Sequence, residues 1–280
     1  MSKQQLLTER DVERYQLNPE FVRYLDAFRR LHGLERAAVR VLDFGCGRGE
    51  AVVKLRRLGY PAQGADIDPS ALENGRAYLR TGAGDPDWLL PIGDDGRVDA
   101  ADGSFQFVFS ETVLEHVRDL DVAAREMARL MATPSAALHA FPARRHIVEQ
   151  HLRMPCVHWL PKNGLRTAAI FLCVLVGMEP RWEPEGLRAR VRRYSRYSKQ
   201  NTFYRRPRDL ERTFAQHGFR VDFVSIDHPK VAQHPLGSRL LRTRAGRAVV
   251  EALILNFKTV ELWLRKPATV RPESTPTASA

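Results

Sequence analysis

The most informative stretch of this 280-residue chain is Val41-Leu42-Asp43-Phe44-Gly45-Cys46-Gly47-Arg48-Gly49. Its apolar start predicts the end of a buried strand, and its three alternating glycines predict a turn whose backbone approaches a ligand closely. A helix is expected directly afterwards, because apolar residues recur at helical spacing until Gly59. Strand, turn and helix N-terminus would together form a ligand cradle, since free backbone N–H groups and the positive end of the helix dipole point into one small space.

The acid that precedes this turn narrows the class of ligand. Asp43 lies two residues before the first glycine, and Glu50 stands where a dinucleotide-binding G-x-G-x-x-G turn has its third glycine. A carboxylate there repels a pyrophosphate but suits a ligand that carries an ammonium or sulfonium group. The stretch resembles motif I of the class I S-adenosylmethionine-dependent methyltransferases, of the type 11-like kind. That resemblance implies S-adenosylmethionine as the cofactor, held by Asp43, Gly45, Cys46 and Gly47.

The resemblance also implies the fold class, which is α/β. We expect a Rossmann-like seven-stranded, mostly parallel sheet with helices on both faces and a helical lid insertion. The expected parts are an N-terminal helical segment (1–34), a cofactor-binding core (35–142), a lid or acceptor insertion (143–204), the remainder of the core sheet with a helical insertion (205–266) and a disordered tail (267–280). Residues 1–18 are polar and expected to be loosely ordered, ahead of a helix that starts at Pro19 and ends at Gly33.

A second acid lies where the next strand is expected to end. Asp66 follows Gly45 by 21 residues, and a βαβ unit brings that strand end beside the glycine turn. A carboxylate there can accept hydrogen bonds from both hydroxyls of a ribose. The alternative role is to cap the following helix, but Asp68 or Ser70 can do that and leave Asp66 free. We therefore expect Asp66 to bind ribose, and the resemblance adds the adjacent Ile67.

An acidic loop precedes the fourth strand, in the run from Gly93 to Phe105. It is similar to the family's loop, which implies that Asp94 accepts a hydrogen bond from the adenine amino group, with the Asp95 backbone beside the ring. The run departs from the family pattern at Val98-Asp99 and at Gln106, so the path of the loop is less well defined than the position of Asp94.

The fourth strand is expected to end in Ser110-Glu111-Thr112-Val113-Leu114-Glu115-His116-Val117. This stretch should form the bottom of the reaction site. This run resembles the family's strand-four ending and adds Ser110 to the cofactor-binding residues. The quinone O-methyltransferases bind a divalent metal here through Glu-x-x-Glu-His, but position 112 is Thr, so no metal is expected. His116 is a candidate general base, and a structural histidine is the alternative.

Residues 143–204 contain the other candidates for a base or for substrate positioning, His146, His151 and Tyr204. His146, Glu149 and His151 form H-x-x-E-x-H, close to a zinc motif, but on a helix two residues five apart do not share a face. We therefore predict no metal there either. A Pro-Cys pair at Cys156 follows the fifth strand rather than the fourth, which argues against a cytosine-methylating nucleophile.

A run of eleven apolar residues, Ala168 to Met178, follows in the same segment. As a helix it would extend about 17 Å, short of a bilayer core of about 30 Å. A buried lid helix is the simpler interpretation. Because eleven Lys or Arg and only four acids lie between Arg181 and Arg212, shallow contact of residues 166–208 with an anionic membrane is the alternative.

Composition sets wider limits. Apolar residues make up 44% and charged residues 28%, as in ordinary globular proteins. No signal-peptide run precedes residue 30, and three cysteines without a C-x-x-C pair indicate reduced thiols. We therefore expect a cytoplasmic protein, with a location peripheral to the membrane as the alternative. The net charge of +11 raises the question of nucleic-acid partners, although arginine on solvated surfaces accounts for it equally well.

These observations favour an S-adenosylmethionine-dependent methyltransferase that acts at oxygen or nitrogen of a small-molecule, glycan or lipid-linked acceptor. An RNA methyltransferase is the first alternative, weakened by the absence of an Asn-Pro-Pro-Tyr sequence after strand four and by few aromatics in the basic segment. A nicotinamide-dependent oxidoreductase and a non-catalytic binding protein of the same fold are the others. The oligomeric state is left open.

Overall fold

A seven-stranded, mostly parallel sheet forms the centre of the molecule. The computed structural model describes residues 6–180, 185–227, 231 and 233–267. Its strands are β1 (Val41–Phe44), β2 (Ala62–Asp66), β3 (Leu89–Pro91), β4 (Phe105–Glu111), β5 (Met131–Pro142), β6 (Val148–Glu149), β7 (Met154–Pro155), β8 (Arg220–Phe223) and β9 (Thr259–Lys266). The sheet order is β3-β2-β1-β4-β5-β9-β8, with β9 antiparallel to both neighbours. The predicted α/β fold and its antiparallel closing strand are confirmed.

Helices cover both faces of this sheet. They are α1 (Glu9–Arg14), α2 (Pro19–Leu31), α3 (Glu50–Arg57), α4 (Pro69–Tyr78), α5 (Leu120–Leu130), α6 (Gly164–Leu175), α7 (Leu187–Gln200), α8 (Pro207–Gln216), α9 (Pro235–Leu240) and α10 (Arg244–Phe257). On one face, Phe21 of α2 stacks on Phe109 of β4 at 4.0 Å between ring centroids. On the other face, α5 and α8 bury Met127 and Phe214 against the sheet. Capping side chains define the start of several helices. Asp68, for example, accepts hydrogen bonds from the first N–H groups of α4.

The N-terminal segment is more ordered than expected. Thr8 and Asp11 form a reciprocal capping box that starts α1, and Leu7 and Val12 are buried in the apolar core. The prediction of loose order was therefore wrong for Glu9–Arg14, because the capping pair and one buried stripe stabilise a helix within a polar sequence. Residues 1–5 lie outside the described part of the chain.

The lid, residues 143–204, has a small apolar cluster of its own. It consists of a hairpin (β6 and β7), α6 and α7, which enclose Leu152, Met154, Val157, Ile170, Val174 and Tyr194. The expectation of a buried lid helix was only partly right. Ile170 and Val174 of α6 are buried, but Leu172 and Leu175 are each 60% exposed. Among the described helices, none is both long enough and apolar enough to cross a membrane. Of the predicted disordered tail, residues 268–280 lie outside the described residues.

Candidate active site

The glycine turn has the backbone conformation that its sequence predicted. Gly45, Gly47 and Gly49 have φ values of +88°, +57° and +85°, in the left-handed region that favours glycine. A Cβ at Gly45 would lie 2.4 Å from Val113, whereas nothing lies within 4 Å of a Cβ at Gly47. The turn therefore packs against the loop after β4 on one side and leaves space at Gly47, where a ligand can approach the backbone.

A cavity of about 230 Å³ opens beside this turn, and we call it the cofactor cavity. It is lined by Tyr15, Asp43, Gly45, Cys46, Gly47, Glu50, Ala51, Phe109 and Glu111. Burial, followed by the charges of Glu111, Asp66 and Glu50, raises the pKa of Asp43 well above its usual range. Burial also raises the pKa of Cys46, which keeps its thiol neutral. One buried and two partly buried carboxylates, those of Asp43, Glu50 and Glu111, thus line the cavity and favour a cationic ligand.

Asp66 lies at the tip of β2, as expected, but its carboxylate is not free. One oxygen accepts a hydrogen bond from the Gly47 N–H at 2.7 Å and the other from the Asp68 N–H at 2.8 Å. Asp68 caps α4, as the sequence predicted. Because each carboxylate oxygen has two lone pairs, Asp66 can still accept one hydrogen bond at each oxygen from a ribose.

The remaining predicted cofactor residues lie less centrally. Ile67 is 71% exposed at the tip of β2. Asp94 and Asp95 are exposed in the turn after β3, where Asp95 accepts a hydrogen bond from the Arg97 N–H, and neither borders the cofactor cavity. Asp94 therefore lies near the carboxyl ends of the strands, as Asp43 and Asp66 do, but the three carboxylates do not converge on one cavity.

Ser110 points away from the cofactor cavity. Strand side chains alternate between the two faces, and its neighbours Phe109 and Glu111 line the cavity. The Ser110 hydroxyl instead pairs with Nδ1 of His139 at 2.8 Å, and burial lowers the pKa of His139 to about 3. The Ser110 side chain is thus bound to a neutral histidine on the opposite face, and only its backbone remains near the cofactor side.

Sequence reasoning missed how the N-terminal segment closes the cofactor cavity. Glu111 accepts hydrogen bonds from Asn18 Nδ2 at 2.5 Å and from the Tyr15 hydroxyl at 3.5 Å. Burial, with the charges of Asp43 and Glu111, raises the pKa of Tyr15. Asn18 also caps α2, so the Asn18-Pro19 signal located the helix start but not its second role at the site.

A second cavity, of about 570 Å³, lies in and beside the lid, and we call it the lid cavity. It is lined by Arg144, His158, Trp159, Leu160, Pro161, Lys162, Arg166, Thr202, Phe203, Tyr204 and Arg205. These lining residues include four cationic side chains and no carboxylate. Burial, then the charges of Arg166, Arg118 and Arg205, lowers the pKa of Lys162, and burial and Arg166 lower the pKa of His158 to about 4. The lining of the lid cavity is therefore positively charged, although Glu149 lies near Arg166, and Asp119 and Asp209 lie near Arg205.

The four candidate catalytic residues separate into different places. His116 and His151 meet, with ring centroids 4.6 Å apart, beside the buried Glu115. Tyr204 donates a hydrogen bond to Glu149 at 2.7 Å, and burial together with Glu149 raises the pKa of its hydroxyl. His146 lies apart from this group and contacts the Val148 carbonyl at 2.8 Å.

The segment that contains His146 and His151 is a hairpin rather than a helix. The helical spacing of five residues therefore does not decide whether side chains of this segment can share a ligand.

Thr112, in the loop that leads to Glu115, has a φ of +57°. This value is uncommon for a β-branched residue and typical of a constrained functional turn.

Comparisons with known proteins match this architecture. A protein-family model described as a methyltransferase domain matches residues 14–223, most of the chain. The chain belongs to this family. It is a class I S-adenosylmethionine-dependent methyltransferase by family, as the glycine turn and Asp43 had suggested.

Individual relatives support the same family over part of their length. Over 115 residues the chain is 32% identical to a ubiquinone biosynthesis O-methyltransferase of Xanthomonas axonopodis pv. citri, covering 41% of this chain and 46% of that protein. It is 31% identical over 96 residues to the methyltransferase GfsG of Streptomyces halstedii, covering 34% of each. The chain thus spans about half or less of the curated relatives that it matches.

A solved structure shares the fold. Phosphoethanolamine N-methyltransferase 2 of Haemonchus contortus, in complex with phosphomonomethylethanolamine and S-adenosylhomocysteine, aligns with a TM-score of 0.50 and 13% identity. The alignment covers 89% of this chain and 52% of that one. At this identity the likeness concerns the fold alone.

Proposed function

We propose that this chain transfers a methyl group from S-adenosylmethionine to oxygen or nitrogen of a small-molecule, glycan or lipid-linked acceptor. The observation that carries the proposal is the acidic cofactor cavity beside a left-handed glycine turn at the ends of β1 and β4. The residues present fit the cofactor, because buried carboxylates suit its sulfonium and ammonium charges and the space at Gly47 admits a ligand at the backbone. When bound, the cofactor would supply an activated methyl group.

Each cofactor-side residue has a proposed part. Asp43 and Glu111 would balance the positive charges, Asp66 would accept hydrogen bonds from the ribose, and the exposed Ile67 side chain would be covered by the adenine. Asp94 would reach the adenine amino group from the turn after β3. The Ser110 side chain takes no part in this arrangement, since its hydroxyl is bonded to His139.

The lid cavity favours an acceptor that carries a negatively charged group, such as a phosphate or a carboxylate. Lys162 and Arg166 donate hydrogen bonds to backbone carbonyls, which position them without neutralising their charge. Burial, and after it repulsion by neighbouring arginines, lowers the pKa of Lys162, and a bound anion would offset that repulsion. His116, His151 and Tyr204 are the candidates for removing a proton from the acceptor.

Calorimetry with S-adenosylhomocysteine tests the cofactor assignment. We expect binding that Asp66→Ala weakens by about 1.5 to 3 kcal/mol, the range for a hydrogen bond to a charged group. Asp66→Asn keeps a carbonyl acceptor and should weaken binding less. Asp99→Ala, in the exposed segment between β3 and β4, serves as the matched control and should bind like the wild type. Absence of binding heat at high micromolar ligand would contradict the proposal.

The acceptor class needs a separate assay. Radiolabelled methyl transfer can be compared between phenolic and amine acceptors that differ only in whether they carry a carboxylate or a phosphate. We expect turnover to favour the anionic member of each pair and Arg144→Gln to reduce that preference. Transfer to bulk RNA, with binding that weakens steeply as salt rises, would favour the RNA methyltransferase instead.

Contact with a membrane surface is part of the same proposal. Leu172, Leu175 and Val176 expose apolar surface at the end of α6, and α7 exposes Arg188, Arg192 and Arg196 at four-residue spacing. Apolar side chains and clustered arginines together favour an anionic bilayer surface. Sedimentation with vesicles that contain phosphatidylserine tests this, because Leu172→Ser with Leu175→Ser should abolish binding. Equal binding to neutral vesicles, or none to either, would contradict it.

A further inference from the structure

Three potential metal ligands from two separate segments meet beside the loop after β4. Glu115 and His116 belong to that loop, and His151 belongs to the turn between β6 and β7. One ligand atom from each lies within 4.8 Å of the other two. The Glu115 carboxylate is 3.6 Å from His151 Nε2 and 3.9 Å from His116 Nε2. Slight closure around an ion, with bonds of about 2.0 to 2.2 Å, would complete such a site.

The Glu115 carboxylate is buried without hydrogen bonds. Glu115 is 1% exposed, and within the described residues neither of its oxygens has a hydrogen-bond partner. His151 Nε2 is likewise buried and unpartnered there. Burying an ionised carboxylate is costly unless a cation or hydrogen-bond donors compensate it. The geometry thus leaves a buried acceptor and an imidazole nitrogen facing one another across a gap.

The backbone fixes His116 in the orientation of a metal ligand. Its Nδ1 lies 2.5 Å from the Asn201 carbonyl oxygen, so the Nδ1–H donates and Nε2 keeps its lone pair toward Glu115. A backbone carbonyl on the far ring nitrogen is the usual second contact of a metal-binding histidine. Asn201 directly follows α7, so the lid itself orients this ring.

We propose that Glu115, His116 and His151 bind one divalent transition-metal ion, such as Zn²⁺. Two imidazoles and one carboxylate suit such an ion better than Mg²⁺ or Ca²⁺, which prefer oxygen ligands. Three protein ligands leave a coordination position open. On the proposed function, that position would polarise an acceptor hydroxyl, and His116 and His151 would act as metal ligands instead of as bases. This role rests on the proposed function, whereas metal binding itself does not.

The sequence predicted no metal here because position 112 is Thr. Our proposal departs from that expectation, because His151 approaches from the lid and offers a third candidate ligand that the local motif lacks. The competing arrangement is an ion pair between protonated His151 and Glu115 with no metal affinity.

Metal titration of the tag-free, chelator-treated full chain tests the proposal without any acceptor. We expect one equivalent of Zn²⁺ to bind, and Co²⁺ to bind with the visible absorption of a low-coordinate site. His151→Ala and Glu115→Gln should each weaken binding at least 100-fold, above the 10- to 100-fold typical of second contacts. His146→Ala, in the same segment but directed to the Val148 carbonyl, is the matched control and should bind as the wild type does.

Binding of S-adenosylhomocysteine by the same variants separates this inference from the proposed function. Unchanged affinity for that ligand shows that the variants fold, so loss of metal alone supports the site. No stoichiometric metal uptake by the wild type, or uptake that His151→Ala leaves unchanged, would overturn the proposal and leave a His151–Glu115 ion pair only. A failure to bind S-adenosylhomocysteine with metal uptake intact would overturn the cofactor assignment but not the metal site.

Discussion

The cofactor cavity and the lid cavity carry opposite charge. Asp43, Glu50 and Glu111 line the first, whereas Lys162, Arg166 and other cations line the second. The first is built from strand ends and a glycine turn within one continuous core, and the second from a segment with an apolar cluster of its own. On the proposed function, cofactor specificity and acceptor specificity would be encoded in separate parts of the chain, and each would then respond separately to mutation.

The largest expected effect concerns the independence of the lid. Ile170→Ala removes a fully buried side chain from the lid cluster and should lower the free energy of lid opening by about 2 to 4 kcal/mol. Hydrogen exchange should accelerate in α6 and α7, while S-adenosylhomocysteine affinity stays at the wild-type value. Leu172→Ala, on the same helix but 60% exposed, is the control. A parallel loss of cofactor affinity would show that the two regions fold as one unit.

A glycine pair compares the packing of the two regions directly. Alanine usually stabilises a helix relative to glycine by about 0.5 to 1 kcal/mol, but a Cβ at Gly75 of α4 would lie 2.2 Å from the Arg48 carbonyl oxygen. Gly75→Ala should therefore destabilise the protein by about 1 to 3 kcal/mol, measured by urea unfolding. Gly164→Ala in α6, where nothing lies within 4 Å, should not destabilise it. Stabilisation by Gly75→Ala would refute the close packing of α4 on the glycine turn.

The core also contains a buried acid that makes its stability pH-dependent. Burial, with the charge of Glu20, raises the pKa of Glu261 to about 7. The folded state then binds its proton more tightly than the unfolded state, so this contribution is complete at low pH and is lost as pH rises through about 7. Glu261→Gln should flatten the decline in stability between about pH 5 and pH 8 and add about 1 to 2 kcal/mol at the upper end.

Denaturant midpoints across that pH range measure this effect. Glu73→Gln, which removes an acid from an exposed ion pair with Arg80, should retain the wild-type slope. A Glu261→Gln variant with the same slope as the wild type would contradict the assignment.

The smallest expected effect tests whether the Asp43 carboxylate in the cofactor cavity balances the positive charge of the ligand. Because the pKa of Asp43 is raised by burial and neighbouring acids, a cationic ligand must displace its proton at low pH. As the pH falls and Asp43 becomes protonated, binding of S-adenosylmethionine should weaken more than binding of S-adenosylhomocysteine, which lacks the sulfonium charge, by up to about tenfold, or 1.4 kcal/mol. Asp43→Asn should remove the difference. Identical pH profiles for the two ligands in the wild type would show that this carboxylate does not balance the sulfonium.

The sequence predicted what local patterns determine. The glycine turn, Asp43 and the Asp68 cap follow from short-range rules on backbone conformation, charge and helix starts. The seven-stranded, mostly parallel sheet and its antiparallel last strand were also expected, because the family resemblance implies them. These are the features that adjacent residues define without reference to distant ones.

The sequence did not predict contacts made between distant segments. The approach of His151 to Glu115 depends on a hairpin, whereas the sequence argument considered only helical spacing. The closure of the cofactor cavity by Tyr15 depends on a segment expected to be loosely ordered. The Ser110 side chain lies on the face opposite the cofactor cavity. Strand alternation counted from Phe109 accounts for this, but the sequence interpretation did not apply it. The exposed half of α6 was missed since an apolar run does not itself reveal which side is covered.

Arg205 gives the loop after β4 a support that is independent of most of the loop's own side chains. Its guanidinium donates hydrogen bonds to the carbonyl oxygens of Leu114, Val117 and Arg118, so the loop is held by its main chain. The exposed side chain at position 118 can consequently vary while the path of the loop persists, whereas Val117 packs against the apolar core. Substitutions can thus change the side-chain chemistry of the loop after β4 without changing its backbone path, provided that Arg205, which lies outside the loop, is retained.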